Sequence, residues 1–105
     1  MMKKISVFDE GKFSDNKFHS FLVHDSEHFK MINFTFKAGQ SLPVHSHDIA
    51  GQLSIVVLSG EGEFLSKDDA IAARAGDVLI SDIAEPHGVR ATTDMRVLVT
   101  IAPPI

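Results

Sequence analysis

Residues 39–52 read GQSLPVHSHDIAGQ and contain two histidines, His45 and His47, that are separated by one residue. Successive side chains of a β-strand point to opposite faces, so on an extended strand both imidazoles lie on one side. An isolated His-x-His pair is more often two ordinary surface or hydrogen-bonded histidines than part of a metal site. A third candidate ligand, His87, follows a turn at Pro86 and is expected at the start of another strand.

The regions on either side of this stretch show the alternation that is typical of β-strands. Ile32, Phe34 and Phe36 alternate with less apolar neighbours, which places these three side chains on one face. No window of a dozen residues carries an apolar stripe at helical spacing, and residues 69–75 are predicted as strand or turn. The pattern predicts an all-β, antiparallel sandwich or barrel with strands near 18–23, 29–37, 53–59, 61–66, 77–80 and 96–102.

The composition excludes several classes of function. The 105 residues suffice for one globular domain, which we expect to span residues 1–105. There is no cysteine, tyrosine or tryptophan, so thiolate nucleophiles, iron–sulfur clusters and cysteine zinc sites are excluded, and six histidines and fourteen carboxylates carry any chemistry. The net charge of −4 and the scattered basic residues argue against binding to nucleic acid.

Neither a secretory signal nor an apolar run long enough to cross a membrane is evident in the sequence. The longest apolar stretch, residues 55–58, is far too short to span a bilayer. We therefore expect a soluble, cytoplasmic protein that binds a small molecule and acts on neither nucleic acid nor membrane.

Two blocks of the sequence resemble the two motifs of the cupin superfamily, in its small single-domain, RmlC-like form. The first block, at about residues 39–60, offers Gly39, five residues, His45-Ser-His47, four residues, Gln52, seven residues and Gly60. The second block, at about residues 76–91, offers Gly76 and His87, with Asp82 and Ala84 in place of the usual proline and glycine. The resemblance implies an antiparallel double-stranded β-helix, also called a jelly-roll β-barrel, and a homodimer.

One departure from the first motif predicts a structural irregularity. Seven residues rather than six lie between Gln52 and Gly60, so we expect a β-bulge or a shifted register in this strand.

The resemblance also implies a set of metal ligands, namely His45, His47, Gln52 and His87. Most metal-binding cupins have glutamate at the position of Gln52, which here could ligate the metal, lie just behind the ligands and hold one of them in place, or face solvent. Ligation is favoured because some cupins, including those that linearise unsaturated uronates, are similar in using three histidines and one glutamine. Zn, Ni, Fe or Mn would each accept this set. Since all four donors are neutral, the ion would keep its full charge and attract anions.

Other residues have weaker predicted roles. Asp48, Asp82 and Glu85 are candidates for binding substrate or for orienting a metal ligand by a hydrogen bond, although a solvated loop carboxylate is the commoner case. The three remaining histidines are expected to be exposed or to pair within strands: His19, His24 and His28. The barrel is expected to be lined by Phe34, Phe36, Leu53, Ile55, Val57, Phe64, Val97 and Val99.

Three functions remain open from the sequence. The first is a metal-dependent enzyme that acts on a small oxygenated anionic molecule by isomerase, lyase or dioxygenase-type chemistry, although no catalytic residue can be named. The second is a non-catalytic module that binds or senses a small molecule or a metal. The third is a structural dimer in which the histidines have no task.

Overall fold

The computed structural model describes residues 2–105 as nine antiparallel strands and one short helix. The elements in chain order are α1 (Val7–Glu10), β1 (His19–Asp25), β2 (Lys30–Phe36), β3 (Ser41–His45), β4 (Gln52–Ser59), β5 (Glu61–Leu65), β6 (Ala70–Arg74), β7 (Val78–Asp82), β8 (His87–Ala91) and β9 (Met95–Ala102). No helix among the described residues is both long enough and apolar enough to cross a membrane.

The strands form two sheets that close on each other as a double-stranded β-helix. The first sheet has the order β1-β2-β9-β4-β7, and the second has the order β3-β8-β5-β6. All pairings within the sheets are antiparallel. The predicted fold class is confirmed. Residues 69–75, which were predicted as strand or turn, contain strand β6.

The core lies between the two sheets and consists of the apolar side chains that alternate along each strand. In β9, Met95, Val97, Val99 and Ile101 are buried, whereas the residues between them are partly exposed. The eight residues that were predicted to line the barrel are all buried. Alternation therefore identified the inner faces correctly.

The outer face of β2 is covered by the chain that precedes β1. Thr35 is fully buried, and its hydroxyl donates a hydrogen bond to the carbonyl oxygen of Lys12. The Arg96 guanidinium lies 4.9 Å from the ring centroid of Phe8 and 5.0 Å from that of Phe13, within the range of cation–π attraction. Residues 33–36 of β2 are consequently buried on both faces, which alternation alone did not predict.

The bulge that the motif spacing predicted is present near the end of β4. The register of β4 against β9 shifts between Val57 and Ser59. The following turn contains Gly60 with a φ of 81°, and a Cβ there would lie 2.0 Å from the carbonyl oxygen of Asp94. Only glycine fits this close approach. The register shift places the extra residue in a bulge at the end of β4 that lies farther from Gln52.

Candidate metal centre

Strands β3 and β8 bring His45 and His87 directly opposite each other. The two residues are Cα partners in the antiparallel pairing, and their ring centroids are 4.6 Å apart. The register of β3 shifts between Leu42 and His45, and Pro43 lies within this irregular stretch. Proline is tolerated here because β3 is an edge strand, where a missing backbone N–H need not cost a ladder hydrogen bond.

Gly88 allows β3 to approach β8 closely beside the two histidines. A Cβ on Gly88 would lie 2.7 Å from the carbonyl oxygen of Leu42 and 2.9 Å from the backbone nitrogen of Val44. Both contacts are with backbone atoms, which cannot turn aside as a side chain can. The glycine after His87 therefore fixes the spacing of the strands that carry the two imidazoles.

Backbone carbonyl groups orient both rings. His45 Nδ1 lies 2.8 Å from the carbonyl oxygen of Pro43, and His87 Nδ1 lies 2.7 Å from that of Glu85. Since a carbonyl oxygen only accepts, each Nδ1 carries the proton and donates it, which leaves the lone pair on Nε2. This is the usual arrangement of a histidine that binds a metal through Nε2.

His47 lies two residues beyond the end of β3. The expectation that both imidazoles lie on one side of a strand therefore applies to it only approximately. Its ring centroid is 5.7 Å from that of His45, and its backbone N–H donates to the carbonyl oxygen of Ile83 at 3.2 Å. His45 and His47 are exposed, whereas His87 is only 5% exposed. The cluster thus lies at the rim of the barrel with one imidazole inside it.

All three predicted histidine ligands line one small cavity of about 170 Å³. The remaining lining is apolar: Ile32, Phe34, Leu42, Leu53, Ile55, Val99, Ile101 and Ile105. Burial lowers the pKa of His87, and the neighbouring His45 and His47 lower it further, although the hydrogen bond to Glu85 opposes the shift. His87 is therefore held in the neutral form that can bind a metal.

The donor set fits a divalent transition metal, although a complete site is not preformed. Among residues 2–105, no group of three or more His, Asp or Glu side chains is already arranged to hold an ion. Two imidazoles on one tetrahedral ion would have ring centroids roughly 5 Å apart, which both observed separations approach. His47 is exposed, so a change in its side-chain torsions can bring its ring nearer to the other two.

Gln52 lies outside the histidine cavity. It begins β4, where the next inward-facing residues, Leu53 and Ile55, line that cavity while Gln52 itself is exposed. Its Nε2 donates a hydrogen bond to Asp82 Oδ1 at 3.2 Å. The structure thus brings three of the four predicted ligands together and places the fourth in a neighbouring groove.

This groove, which we call the β6–β7 groove, has a volume of about 340 Å³ and shares His87 with the histidine cavity. It is lined by Gln52, Phe64, Leu65, Ser66, Ile71, Leu79, Ile80, Ser81, Asp82, Glu85, Pro86 and His87. The buried imidazole of His87 therefore separates an apolar cavity from a groove with several polar side chains.

The sequence matches a known protein family over most of its length. A family model described as a cupin domain matches residues 32–101, which is two thirds of the chain. The chain is a cupin. None of the curated proteins compared with it matches.

Solved structures with this fold include a near relative of this cupin. An RmlC-like cupin protein from Desulfovibrio desulfuricans is 58% identical over the full length of both chains, with a TM-score of 0.97. KdgF from Halomonas sp. is 20% identical over 90% of each chain, with a TM-score of 0.76. A predicted oxalate decarboxylase from Thermotoga maritima is 22% identical over 82% of this chain and 80% of its own, with a TM-score of 0.74. The last two show likeness of fold alone.

The three carboxylates predicted to bind substrate or to hold the metal ligands in place differ in their position in this cupin. Asp82 lines the β6–β7 groove and holds the amide of Gln52. Glu85 also lines the groove, but it orients His87 through its backbone carbonyl rather than its carboxylate. Asp48 is exposed and lines neither the groove nor the histidine cavity.

The histidines outside the motifs behave as predicted: His19 and His24 pair with β2, and His28 is exposed. Sequence reasoning missed the parts played by Pro43 and Gly88. Their position beside the candidate ligands was the available signal, since proline and glycine often mark an irregular or close backbone contact.

Proposed function

We propose that this cupin binds a divalent transition metal (Zn, Ni, Fe or Mn) and acts on a small oxygenated anionic molecule by isomerase, lyase or dioxygenase-type chemistry. The observation that carries the proposal is the histidine cavity, where His45, His47 and His87 converge and carbonyl groups leave Nε2 of two rings free. Two neighbouring rings with unprotonated Nε2 atoms are what a histidine metal site requires.

The chain supplies neutral donors, an apolar wall and an adjoining polar groove. When bound, a divalent ion would act as a Lewis acid that polarises an oxygen atom of the ligand. The three imidazoles would leave the charge of the ion uncompensated, which favours an anionic oxygen donor. The apolar side chains around them exclude water from that side and limit the ligand to a small molecule.

Gln52 is retained in the proposal as a fourth ligand. Its Nε2 donates to Asp82, and the lone pairs of its Oε1 remain available to the ion. Asp82 would then fix the orientation of the amide, in the way that an outer carboxylate commonly orients a metal ligand.

A non-catalytic module that binds a metabolite or a metal is the second candidate. It is favoured by the exposure to solvent of the two carboxylates in the β6–β7 groove. Asp82 and Glu85 are both exposed, whereas a general acid or base is often tuned by burial. Turnover assays with keto-acids, uronates and diketones on the metal-loaded protein separate the two candidates.

Metal content tests the site directly. Protein purified without added metal or an affinity tag should contain about one ion per chain by elemental analysis, and H47A should lose most of it. H28A is the matched control, because His28 is exposed and lies outside the cavity. Metal-free wild-type protein that also fails to take up Zn or Ni in a titration would refute the proposal.

Replacing Gln52 by glutamate tests the fourth ligand. A carboxylate donor would reduce the charge of the ion by one, so Q52E should bind metal more tightly and anionic ligands more weakly. Titration of metal and of a keto-acid into both proteins measures the two effects. Unchanged metal affinity in Q52E would place Gln52 outside the coordination sphere.

A further inference from the structure

Ile105 lies against the apolar part of the histidine cavity. It lines the cavity together with Ile32, Leu53 and the three histidines, and it is 36% exposed, so most of the residue is covered. With Ile105 in place the cavity has a volume of about 170 Å³, whereas pockets for small molecules typically have about 300–1,000 Å³. A ligand of ordinary size therefore fits beside the histidines only if Ile105 leaves.

A single hydrogen bond holds the segment that carries Ile105. Residues 103–105 follow β9 and belong to no strand, and Pro103 and Pro104 have no backbone N–H to donate. Within residues 2–105, the one hydrogen bond found for this segment is donated by Lys30 Nζ to the backbone oxygen of Ile105. Lifting Ile105 breaks that bond and exposes one apolar side chain, so the residue can be displaced without unfolding a strand.

Lys30 lies on the same face of β2 as residues that line the cavity. It precedes Ile32 by two residues, and its Cα partner on β9 is Ile101, which also lines the cavity. Its Cα partner on β1 is Asp25, yet no ion pair between the two is found in the described chain, and the ammonium group donates to Ile105 instead. Lys30 is thus a cation at the edge of the cavity whose partner leaves when Ile105 is displaced.

We propose that Ile105 occupies the place of the ligand and that Lys30 binds the anionic group of the molecule that displaces it. The occupant to be matched is a branched sec-butyl side chain beside a backbone oxygen, which specifies a short branched-chain carboxylate. Its chain would lie among the apolar side chains of the cavity, and its carboxylate would lie at Lys30, where opposite charges attract. The inference deepens the proposed function and rests on it for an anionic ligand that binds beside the histidines.

Three ketones that differ in one group each test this assignment. 3-Methyl-2-oxopentanoate has a sec-butyl group and a carboxylate, pyruvate has a methyl group in place of the sec-butyl group, and 3-methylpentan-2-one has a methyl group in place of the carboxylate. Isothermal titration into the metal-loaded protein measures each Kd. We expect the branched keto acid to bind more tightly than either of the others by about tenfold or more. Equal affinity for pyruvate or for the neutral ketone would overturn the inference.

Replacing Ile105 by alanine distinguishes a displaced side chain from a fixed wall. I105A removes what the ligand must displace, so it should bind 3-methyl-2-oxopentanoate about tenfold more tightly than the wild type. A fixed wall would instead lose contacts with the ligand, and the variant would bind it more weakly. I5A is the matched control, because Ile5 is exposed and does not line the histidine cavity. Unchanged or weaker binding in I105A would contradict displacement.

The role of Lys30 is measured by the preference for the keto acid over the neutral ketone. K30M should lower the ratio of the two affinities by about tenfold, and K30R, which keeps the charge, should restore most of it. K67M is the control, since Lys67 is exposed and lies outside the histidine cavity. A ratio that is the same in K30M and in the wild type would refute the assignment of Lys30.

The failure of the proposed function would be visible separately. Methyl NMR of the metal-free protein follows Ile105 directly, because I105A identifies its signals by their loss. Excess 3-methyl-2-oxopentanoate should move these signals to the shifts of a free isoleucine side chain, whereas pyruvate should not. A protein that binds no metal but shows this displacement would refute the metal site and retain the inference. A protein that binds metal but keeps the Ile105 signals in place would refute the inference alone.

Discussion

Replacing Gly88 by alanine should move His45 away from His87 without changing either imidazole. The added Cβ would lie 2.7 Å from the carbonyl oxygen of Leu42, 2.9 Å from the nitrogen of Val44 and 3.1 Å from the carbonyl carbon of Pro43. Gly88 does not have a positive φ, so alanine meets no conformational penalty there. The contact with β3 is therefore the cause of any effect.

The size of the effect follows from those contacts. All three atoms belong to the backbone of β3, so the strand itself must shift by a few tenths of an ångström. Overpacking of this kind typically costs about 1–3 kcal/mol of folding free energy. Because His45 would move with β3 while His87 stays on β8, one ligand would be misplaced relative to the other, and we expect metal affinity to fall by about tenfold or more, as when the support of a ligating histidine is lost.

Two measurements and one control separate these consequences. Urea unfolding of the metal-free protein gives the stability change, and isothermal titration with Zn or Ni gives the metal affinity. G39A is the control, because Gly39 has a φ of 87° and no atom within 4 Å of the added Cβ. It should lose about 1 kcal/mol through backbone strain and keep the metal affinity of the wild type. If G88A also kept that affinity, the spacing of β3 and β8 would not control the site.

Two further predictions concern stability. Since burial lowers the pKa of His87, the unfolded chain gains a proton near pH 6.5 that the folded chain resists. The metal-free protein should lose up to about 1.4 kcal/mol per pH unit as the pH falls below about 6.5, measured by urea unfolding, and H87Q should remove this component. R96M should lose about 1–2 kcal/mol and speed chymotrypsin cleavage near Phe8 and Phe13, because the cation–π contacts are removed. An unchanged cleavage rate would contradict the second prediction.

The fold was largely predictable because its strands bury one face and expose the other. Alternation of Ile32, Phe34 and Phe36 located β2 to within a residue at each end. The same rule failed on the opposite face, where Asn33 and Thr35 are fully buried beneath the preceding chain. That cover depends on contacts between residues far apart in sequence, which periodicity does not record.

The candidate site was predictable to the extent that it depends on strand pairing. The motif blocks placed His45 and His87 on separate strands, and β3 and β8 do pair at those residues. The position of Gln52 was harder to predict from the sequence, because one step along β4 moves a side chain from the inner face to the outer one. The β6–β7 groove was not foreseen, since it arises where the edges of two different sheets meet.

The place of His87 between the histidine cavity and the β6–β7 groove has a thermodynamic consequence. A molecule in the groove and an ion at the histidines would both contact the same imidazole. If the bound ion changes the affinity for the molecule by some factor, the bound molecule must change the affinity for the ion by the same factor. If the molecule strengthens metal binding, the metal affinity measured without it is lower than the affinity in its presence. If the molecule weakens metal binding, the affinity measured without it is higher.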